Sequence, residues 1–398
     1  MSQTILLKLE EPGPRRGQPL ALWQLGFRPF YLLASVFAAL SVLIWVAQVA
    51  GWLPVAVLPG PVGHAHEMVF GYALAVVVGF LFTAGRNWSG QATPSGGALM
   101  ALAGLWLVAR VLALTPWFAA AALANVAFAW LSAAGLARAL VRGGSQRNYF
   151  FVGLLVVMGL GSLAVHLSAM GLLALPAWAG LQLGLDVVLF IMVVMGGRVI
   201  PMFTNNGVPG TLATRKAWLE PLALGAVLAI LVADLVGLSG PVLAVLLVVA
   251  AGAHGARLAL WQPWRTLRTP LVWILHLAYA WIVLHLALRG AAQLGWVMPS
   301  VAAHALTAGA IGSLTLGMMT RTARGHTARP LRADGHDVAV YWLVTLAAVV
   351  RVVVPLLWPA VYVPGLVVSA LLWSAAFVVY VAHYGPWLLR ARLDGKPG

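Results

Sequence analysis

The chain has 398 residues, of which 62% are hydrophobic and 8% are charged. Soluble domains carry about 25% charged residues, so this composition excludes an ordinary soluble protein and predicts an integral membrane protein. The formal net charge of +15 could indicate a nucleic-acid partner, but we expect none, because the basic residues follow the pattern of membrane topology.

Apolar runs long enough to cross a bilayer follow one another along the chain, separated by clusters of Gly, Pro, Arg and Asn. About 20 apolar residues in a helix span the hydrocarbon core. The sequence therefore predicts an all-α polytopic membrane protein with about twelve transmembrane helices. The predicted helices, numbered 1 to 12, cover residues 29–50, 64–84, 97–114, 117–140, 148–171, 178–200, 216–237, 240–260, 270–290, 298–320, 338–357 and 361–388.

One membrane domain at 29–388 accounts for nearly the whole chain, between an N-terminal segment at 1–28 and a C-terminal tail at 389–398. Of the 24 Lys and Arg residues, all but three lie at the same predicted end of the helices. Because cytoplasmic loops are enriched in Lys and Arg, we expect both termini in the cytoplasm. The first segment has no apolar run followed by a cleavage site, so we expect no cleavable signal peptide.

A repeat is visible at the ends of predicted helices 2, 6 and 10, which read GFLFTAGRNWSG, MGGRVIPMFTNNG and LGMMTRTARGHT. If Gly79, Gly196 and Gly317 are equivalent, the spacings are 117 and 121 residues, or four helices each time. The pattern predicts three repeated four-helix units, although chance placement of Gly and Arg could produce it. The same spacings relate His66 to position 183 and then to His304.

Histidines within membrane helices are functional-site candidates, because an ionisable side chain in hydrocarbon is costly. The chain has no cysteine, so a metal would depend on His, Met or carboxylate ligands. Five histidines are predicted to lie near one face of the bilayer: His64, His66, His166, His285 and His304. Each could instead be a hydrogen-bonded core or interface residue.

His66 and His304 are predicted at similar depth and form the leading candidate pair of axial haem ligands. His166 and His285 could bind copper or a second haem. Residues two apart differ by about 200° around a helix, so His64 and His66 would point to different centres if helical. An unwound start of predicted helix 2 at GPVGHAH would instead let both bind one centre.

Two acidic residues in this layer, Glu67 and Asp186, could orient a ligating imidazole, carry protons or pair with an arginine. Arg110, Arg289 and Arg351 are the basic residues that break the topology pattern. They are candidates to neutralise haem propionates, with contact to lipid phosphate as the alternative.

At the opposite face, Arg198 belongs to a set of arginines that recur at the ends of predicted helices 2, 6 and 10. Positive-inside topology explains the set, and a ring that binds propionates or a phosphate-bearing partner is the alternative. His276 could contribute, with His254 and His383, to a haem on this side.

The chain resembles the NnrS family in several stretches: LGFRPFYLLA, HAHEMVFGY, GFLFTAGRNWSG, MGGRVIPMFTNN and HALTAGAIGSLTLGMMTRTARGHTARPL. Members are polytopic proteins of denitrifying and related bacteria that bind haem and copper and act in the response to nitric oxide. The resemblance implies haem b, copper and nitric oxide as ligands, a role against nitrosative stress, and location in the bacterial inner membrane.

In plan, three four-helix units with histidines on helices 2 and 10 also resemble the catalytic subunit of haem–copper oxidases and nitric oxide reductases. The ligand pattern differs, because here the His-x-His pair is on predicted helix 2 and predicted helix 7 has no histidine. The binuclear centre of those enzymes therefore cannot be assigned to this chain.

Two functions remain open. In the first, a histidine-ligated centre near the periplasmic face binds nitric oxide or, as an oxidoreductase of the nitric oxide reductase type, reduces it. Reduction would need electrons from quinol or a cytochrome, and protons by way of Glu67 and Asp186. In the second, the chain transports a metal ion or small solute, for which many helices and internal repeats are typical.

Overall fold

The computed structural model describes residues 20–53 and 60–396. Regular structure within these two ranges is entirely helical. Ten of the helices are long and apolar enough to cross a membrane. The predicted class, an all-helical multi-pass membrane protein, is therefore confirmed, while residues 1–19 of the predicted N-terminal segment lie outside the described residues.

The described helices occur at the positions of the predicted apolar runs. They are α1 (Phe27–Val49), α2 (Gly60–Ser89), α3 (Gly96–Leu112), α4 (Phe118–Arg142), α5 (Phe150–Ala169), α6 (Ala177–Gly207), α7 (Leu219–Leu235), α8 (Pro241–Leu260), α9 (Pro270–Gln293), α10 (Pro299–His326), α11 (Gly335–Leu357) and α12 (Tyr362–Leu389). Helices α3 and α7, with 17 residues each, are the two outside the set of ten.

The start of α2 differs from one expectation. An unwound segment before His66 would have allowed two histidines to bind one centre, but the helix already begins at Gly60. Proline fits the first turn of a helix, where its missing N–H has no intrahelical partner, so Pro61 is compatible with this early start. His64 and His66 are therefore both helical and lie on different sides of α2.

Helices α2, α6 and α10 form the centre of the molecule. Their apolar windows are 78%, 78% and 67% buried, more than those of the other candidate spans. Around them, α4 packs against α5, α8 against α9, and α12 against α1. The last contact closes a ring, because Trp373 Nε1 on α12 donates to the Ala38 carbonyl oxygen on α1 at 3.1 Å.

Two segments of α2 and α10 are π-helical, and they occupy matching positions. They span Glu67–Ala73 and Ala305–Ile311, so each begins directly after a histidine, His66 or His304. Each residue of the second segment lies 238 positions after its counterpart in the first. π-Helical turns are rare and often occur at functional sites, which draws attention to this level of the molecule.

We call the end of the bundle where α2, α6 and α10 begin the histidine end, and the end where they finish the arginine end. The histidine end contains His66 and His304, and the arginine end contains Arg86, Arg198 and Arg321.

Candidate metal centre

His66 lies at the centre of a buried polar network. Its Nδ1 is 2.9 Å from Glu67 Oε1, and its Nε2 is 3.0 Å from the Ser162 hydroxyl on α5. Glu67 Oε2 is in turn 2.6 Å from Arg110 Nη1 on α3. Because a carboxylate paired with a guanidinium only accepts hydrogen bonds, His66 Nδ1 donates and Nε2 carries the lone pair. This tautomer is the one in which Nε2 can bind a metal.

A second imidazole faces His66 across the boundary between α2 and α5. The rings of His66 and His166 have centroids 4.7 Å apart and planes at 73°. His166 Nδ1 is buried and has no hydrogen-bond partner, while Nε2 is 3.5 Å from the amide nitrogen of Asn125. Two rings in such close contact leave no space for a porphyrin between them.

Arg110 is fixed inside this network rather than at the lipid surface. Its Nη2 donates to Asn125 Oδ1, and its guanidinium lies over the rings of Phe37 and Trp106 at 5.7 and 5.8 Å. Gly71, within the π-helical segment of α2, gives it room, since a Cβ there would lie 2.5 Å from Arg110 Nη1. The guanidinium therefore balances the charge of the half-buried carboxylate of Glu67.

A second group at the histidine end surrounds His304. Its Nδ1 is 2.6 Å from the Ser300 carbonyl oxygen, which can only accept, so Nε2 carries the lone pair. His64 stacks on Trp45 with centroids 5.1 Å apart, and both His64 and Arg351 lie close enough to His304 to interact electrostatically. Arg351 Nη1 is buried without a hydrogen-bond partner. His304 and Arg351 therefore lie within electrostatic range of each other at the histidine end.

The structure brings two of the candidate histidines into contact across a helix boundary. His66 contacts His166, whereas His64 and His304 are related by an electrostatic interaction. The pairing of His66 with His304 as axial ligands stays a prediction. No pattern in the sequence reports which helices are neighbours, so the contact between His66 and His166 could not have been found there.

His285 on α9 shows the same tautomer as His66 and His304. Its Nδ1 lies 2.8 Å from the Ala302 carbonyl oxygen on α10, which leaves Nε2 as an acceptor. The side chain is 4% exposed. Three of the five candidate histidines, two of them buried and His304 half-buried, therefore have Nδ1 against an acceptor, which leaves Nε2 for a ligand.

The predicted acid Asp186 lies between α6, α7 and α9. Arg289 Nη2 binds both carboxylate oxygens of Asp234, at 2.6 and 2.7 Å, whereas Arg289 Nη1 is 3.6 Å from Asp186 Oδ1. Asp186 Oδ1 accepts a hydrogen bond from Gln182 at 2.8 Å, and Asp186 Oδ2 has no partner. Arg289 is therefore bound mainly to Asp234.

A family model described as NnrS protein matches residues 21–392, nearly the whole chain. The chain belongs to the NnrS family. This confirms the resemblance inferred from the sequence motifs and indicates a membrane protein of the nitric oxide response. Comparison with curated proteins gives no match.

Two predicted residues of this NnrS-family protein lie at the arginine end. Arg198 donates to Asn148 Oδ1 at 2.8 Å. It lies twelve residues beyond Asp186 on α6, about 18 Å along the helix at 1.5 Å per residue. His276 Nε2 is 2.8 Å from the Thr204 hydroxyl, and its Nδ1 is buried without a partner. Both residues therefore belong to a different layer from His66.

One group of possible metal ligands at the arginine end was not predicted from the sequence. The ligand atoms of Asp334, His336 and His383 all lie within 4.8 Å of one another. However, Asp334 Oδ2 pairs with Arg324 at 2.6 Å, and Oδ1 accepts the backbone N–H groups of His336 and Asp337. The carboxylate is therefore already used as the N-cap of α11. The spacing of Asp334 and Asp337 is the sequence signal for this capping box.

Proposed function

We propose that this NnrS-family protein binds copper and haem b at its histidine end and acts on nitric oxide in the defence against nitrosative stress. The observation that carries the proposal is the set of imidazoles at the histidine end whose Nδ1 atoms are held by acceptors, as in buried His66 and half-buried His304. Metal-ligating histidines almost always donate their second ring N–H in this way. Family membership supplies the link to nitric oxide.

His66 and His166 fit copper. The two rings are in contact, His166 Nδ1 has no partner, and imidazole nitrogen is a good ligand for copper. Glu67 would keep His66 in its ligating tautomer and, together with Arg110, would hold the ring in place. The Ser162 hydroxyl, which now donates to Nε2, would give up that hydrogen bond when a metal binds.

His304 and His64 fit a haem, with Arg351 beside them. His304 presents an Nε2 lone pair, and the unpartnered Nη1 of Arg351 is suited to a propionate. A bound haem iron would supply a site for nitric oxide and one-electron chemistry. The alternative ligand pair, His66 with His304, is distinguished by the experiment below.

We also propose that α3 and α7 cross the membrane, which gives twelve spans in three four-helix units. Each has 17 residues, at the lower limit for a span. The matched π-helical segments and the ring contacts α4–α5, α8–α9 and α12–α1 support the repeat. The basic residues at the arginine end support an inner membrane location with both termini in the cytoplasm.

Conversion of two nitric oxide molecules to nitrous oxide and water consumes two electrons and two protons. If the protein catalyses this reaction, quinol or a periplasmic cytochrome would donate the electrons. Glu67 and Asp186 are the acids of the histidine end through which protons would pass. Loss of either carboxylate without a slower turnover would exclude that route.

The test is the cofactor content of detergent-purified protein: reduced-minus-oxidised visible spectra, pyridine haemochrome and copper quantification. We expect His64→Ala and His304→Ala to lose haem and His66→Ala and His166→Ala to lose copper. His336→Ala, exposed at the arginine end, is the matched control and should keep both.

Loss of haem in His66→Ala and His304→Ala, with haem retained in His64→Ala, would establish the ligand pair expected from the sequence. Folded wild-type protein that contains neither haem nor copper would overturn the proposal and favour a transporter.

A further inference from the structure

The histidine end holds one buried acid that the metal centre does not use. Asp186 is 2% exposed and lies between α6, α7 and α9 with Asp234 and Arg289. Two carboxyl groups therefore share a single guanidinium. An ionised carboxylate in the membrane interior is tolerated only when it is paired and hydrogen-bonded.

The hydrogen bonds assign the guanidinium to Asp234. Arg289 Nη2 donates to both Asp234 oxygens, at 2.6 and 2.7 Å. Its Nη1 stays 3.6 Å from Asp186 Oδ1, beyond hydrogen-bond distance. Asp186 receives one neutral hydrogen bond, from Gln182, and its Oδ2 receives none.

Among the described residues, the cation that forms an ion pair with Asp186 is Arg289. On α2, the side chains that face this part of α6 are Val69 and Phe70, since both lie against Gly184. On α9, His285 lies one turn before Arg289, and its Nδ1 donates to the Ala302 backbone carbonyl rather than to Asp186. On α7 the charged neighbour is Asp234, a second acid that interacts directly with Asp186.

We infer that Asp186 is a proton-binding site, occupied at neutral pH and reached from the histidine end through Asp234. In this state Oδ1 is the carbonyl oxygen that accepts from Gln182, and Oδ2 carries the proton. The side chains become more accessible outward, from 3% for Asp186 to 11% for Arg289 and 13% for Asp234. A proton from water would bind Asp234, and its O–H bond would then break as the O–H bond of Asp186 forms.

The site is independent of the proposed cofactors, although use of its proton in nitric oxide reduction would rest on the proposed function. It gives the protein one exchangeable proton in the membrane interior. The proton would be on α6, which packs against α2, the helix that carries His66. That arrangement would serve either proton delivery to a reaction or proton-coupled movement of a solute.

The experiment is infrared spectroscopy of the full chain in lipid, in H₂O and D₂O, with and without bound haem. We expect a protonated-carboxyl C=O band that shifts in D₂O and is lost in Asp186→Asn. Asn matches Asp in size and is uncharged, like a protonated carboxyl group, so this variant should fold. Asp394→Asn, exposed at the arginine end, is the control and should keep the band.

Arg289→Gln gives a second, independent outcome. Without the guanidinium, Asp234 also loses its counter-charge, so the intensity of the protonated-carboxyl band should rise by one further carboxyl group. A band of equal intensity in wild type and Asp186→Asn, or no gain in Arg289→Gln, would overturn the inference. Neither result depends on haem content, so failure here is distinct from failure of the proposed cofactor sites.

Discussion

At the scale of single residues, hydrogen-bond acceptors determine which tautomer each candidate ligand histidine adopts. Glu67 holds Nδ1 of His66, the Ala302 carbonyl holds that of His285, and the Ser300 carbonyl holds that of His304. Only the first acceptor is charged and removable by mutation. A side-chain substitution can therefore remove the acceptor at His66 but not the backbone acceptors at His285 and His304.

Glu67→Gln tests the charged acceptor. The amide keeps a hydrogen-bond acceptor but removes the charge that fixes His66 and pairs with Arg110. We expect copper affinity to fall by about 10- to 100-fold, as for other partners of metal-bound histidines. Copper competition with a chelator measures the change.

Glu220→Gln is the matched control for that measurement, because Glu220 also pairs with a buried arginine, Arg257, but at the arginine end. It should leave copper affinity unchanged. Equal affinities in Glu67→Gln and wild type would show that this carboxylate does not act on the metal.

The depth of each candidate residue followed from hydropathy, but its partners did not. An amphipathic period indicates which face of a helix is buried. The helix of His166 is apolar on nearly every face, so no such period was present for this residue. Arg110 illustrates the same limit. Its position against the topology pattern indicated a special role, whereas its pairing with Glu67 depends on how α3 packs against α2.

At the scale of elements, the π-helical segment of α2 makes room for a side chain from α3. Gly71→Ala would place a Cβ 2.5 Å from Arg110 Nη1 and 2.9 Å from Phe37 Cε1. We expect Arg110 to be displaced, with a loss of about 1–3 kcal/mol in the free energy of unfolding and weaker copper binding. Thermal unfolding in detergent and copper titration measure the two effects.

Gly104→Ala on α3 is the control for the added methyl group, since nothing lies within 4 Å of a Cβ there. Alanine in an open helical position should be neutral or slightly stabilising. If Gly71→Ala is as stable as Gly104→Ala and binds copper as tightly, the close approach of Arg110 is not important to the site.

The N-terminus of α11 depends on Asp334. Burial raises the pKa of this carboxyl, but hydrogen bonds from Arg324 and the Asp337 backbone N–H outweigh burial, so the net pKa is lowered. Because the folded pKa is depressed, the stabilisation is present above the unfolded pKa of about 3.9 and is lost as pH falls through the folded value. Thermal unfolding measured across acidic pH should show this loss in wild type.

Asp334→Ala should lower the free energy of unfolding by about 0.5–2 kcal/mol through loss of the N-cap. Asp334→Asn keeps the cap and should cost less, while it removes the acid dependence contributed by this residue. A wild-type protein and an Asp334→Ala variant that unfold alike at neutral pH would contradict a capping role.

The elements themselves were largely predictable, because apolar length and Gly or Pro punctuation are local properties. Of the two alternatives for the start of predicted helix 2, the structure has the helical one, in which Pro61 lies in the first turn, where proline is tolerated. The π-helical segments had no sequence signal, and the close approach of Arg110 to Gly71 in the first of them depends on a neighbouring helix.

At the scale of the whole molecule, the ring of helices explains why the most buried helices carry the candidate site. Each of α2, α6 and α10 is surrounded by protein, so an ionisable side chain there avoids lipid and meets partners from neighbouring helices. The boundary between α2 and α5 has the histidine pair, α6, α7 and α9 contribute Asp186, Asp234 and Arg289, and α10 has His304. Three chemically different groups of side chains thus lie at the histidine end.

Twelve spans and ten spans predict different sides for the loops that flank α3 and α7. The chain has no cysteine, so a single introduced cysteine is a unique label site. If α3 crosses, Ser95→Cys and Leu114→Cys lie on opposite sides of the membrane. If α7 crosses, Thr214→Cys and Leu238→Cys do as well. An impermeant maleimide added to the periplasmic side should therefore label Leu114→Cys and Leu238→Cys.

Labelling of all four variants after solubilisation in detergent is the control that each cysteine is accessible, as their exposed positions lead us to expect. Protection of Ser95→Cys and Thr214→Cys in intact cells would then place the arginine end in the cytoplasm, in agreement with its basic loops. If both members of a pair reacted alike, the helix between them would not cross the membrane. The corresponding four-helix unit would then be incomplete, and the ring would have to be explained without a threefold repeat.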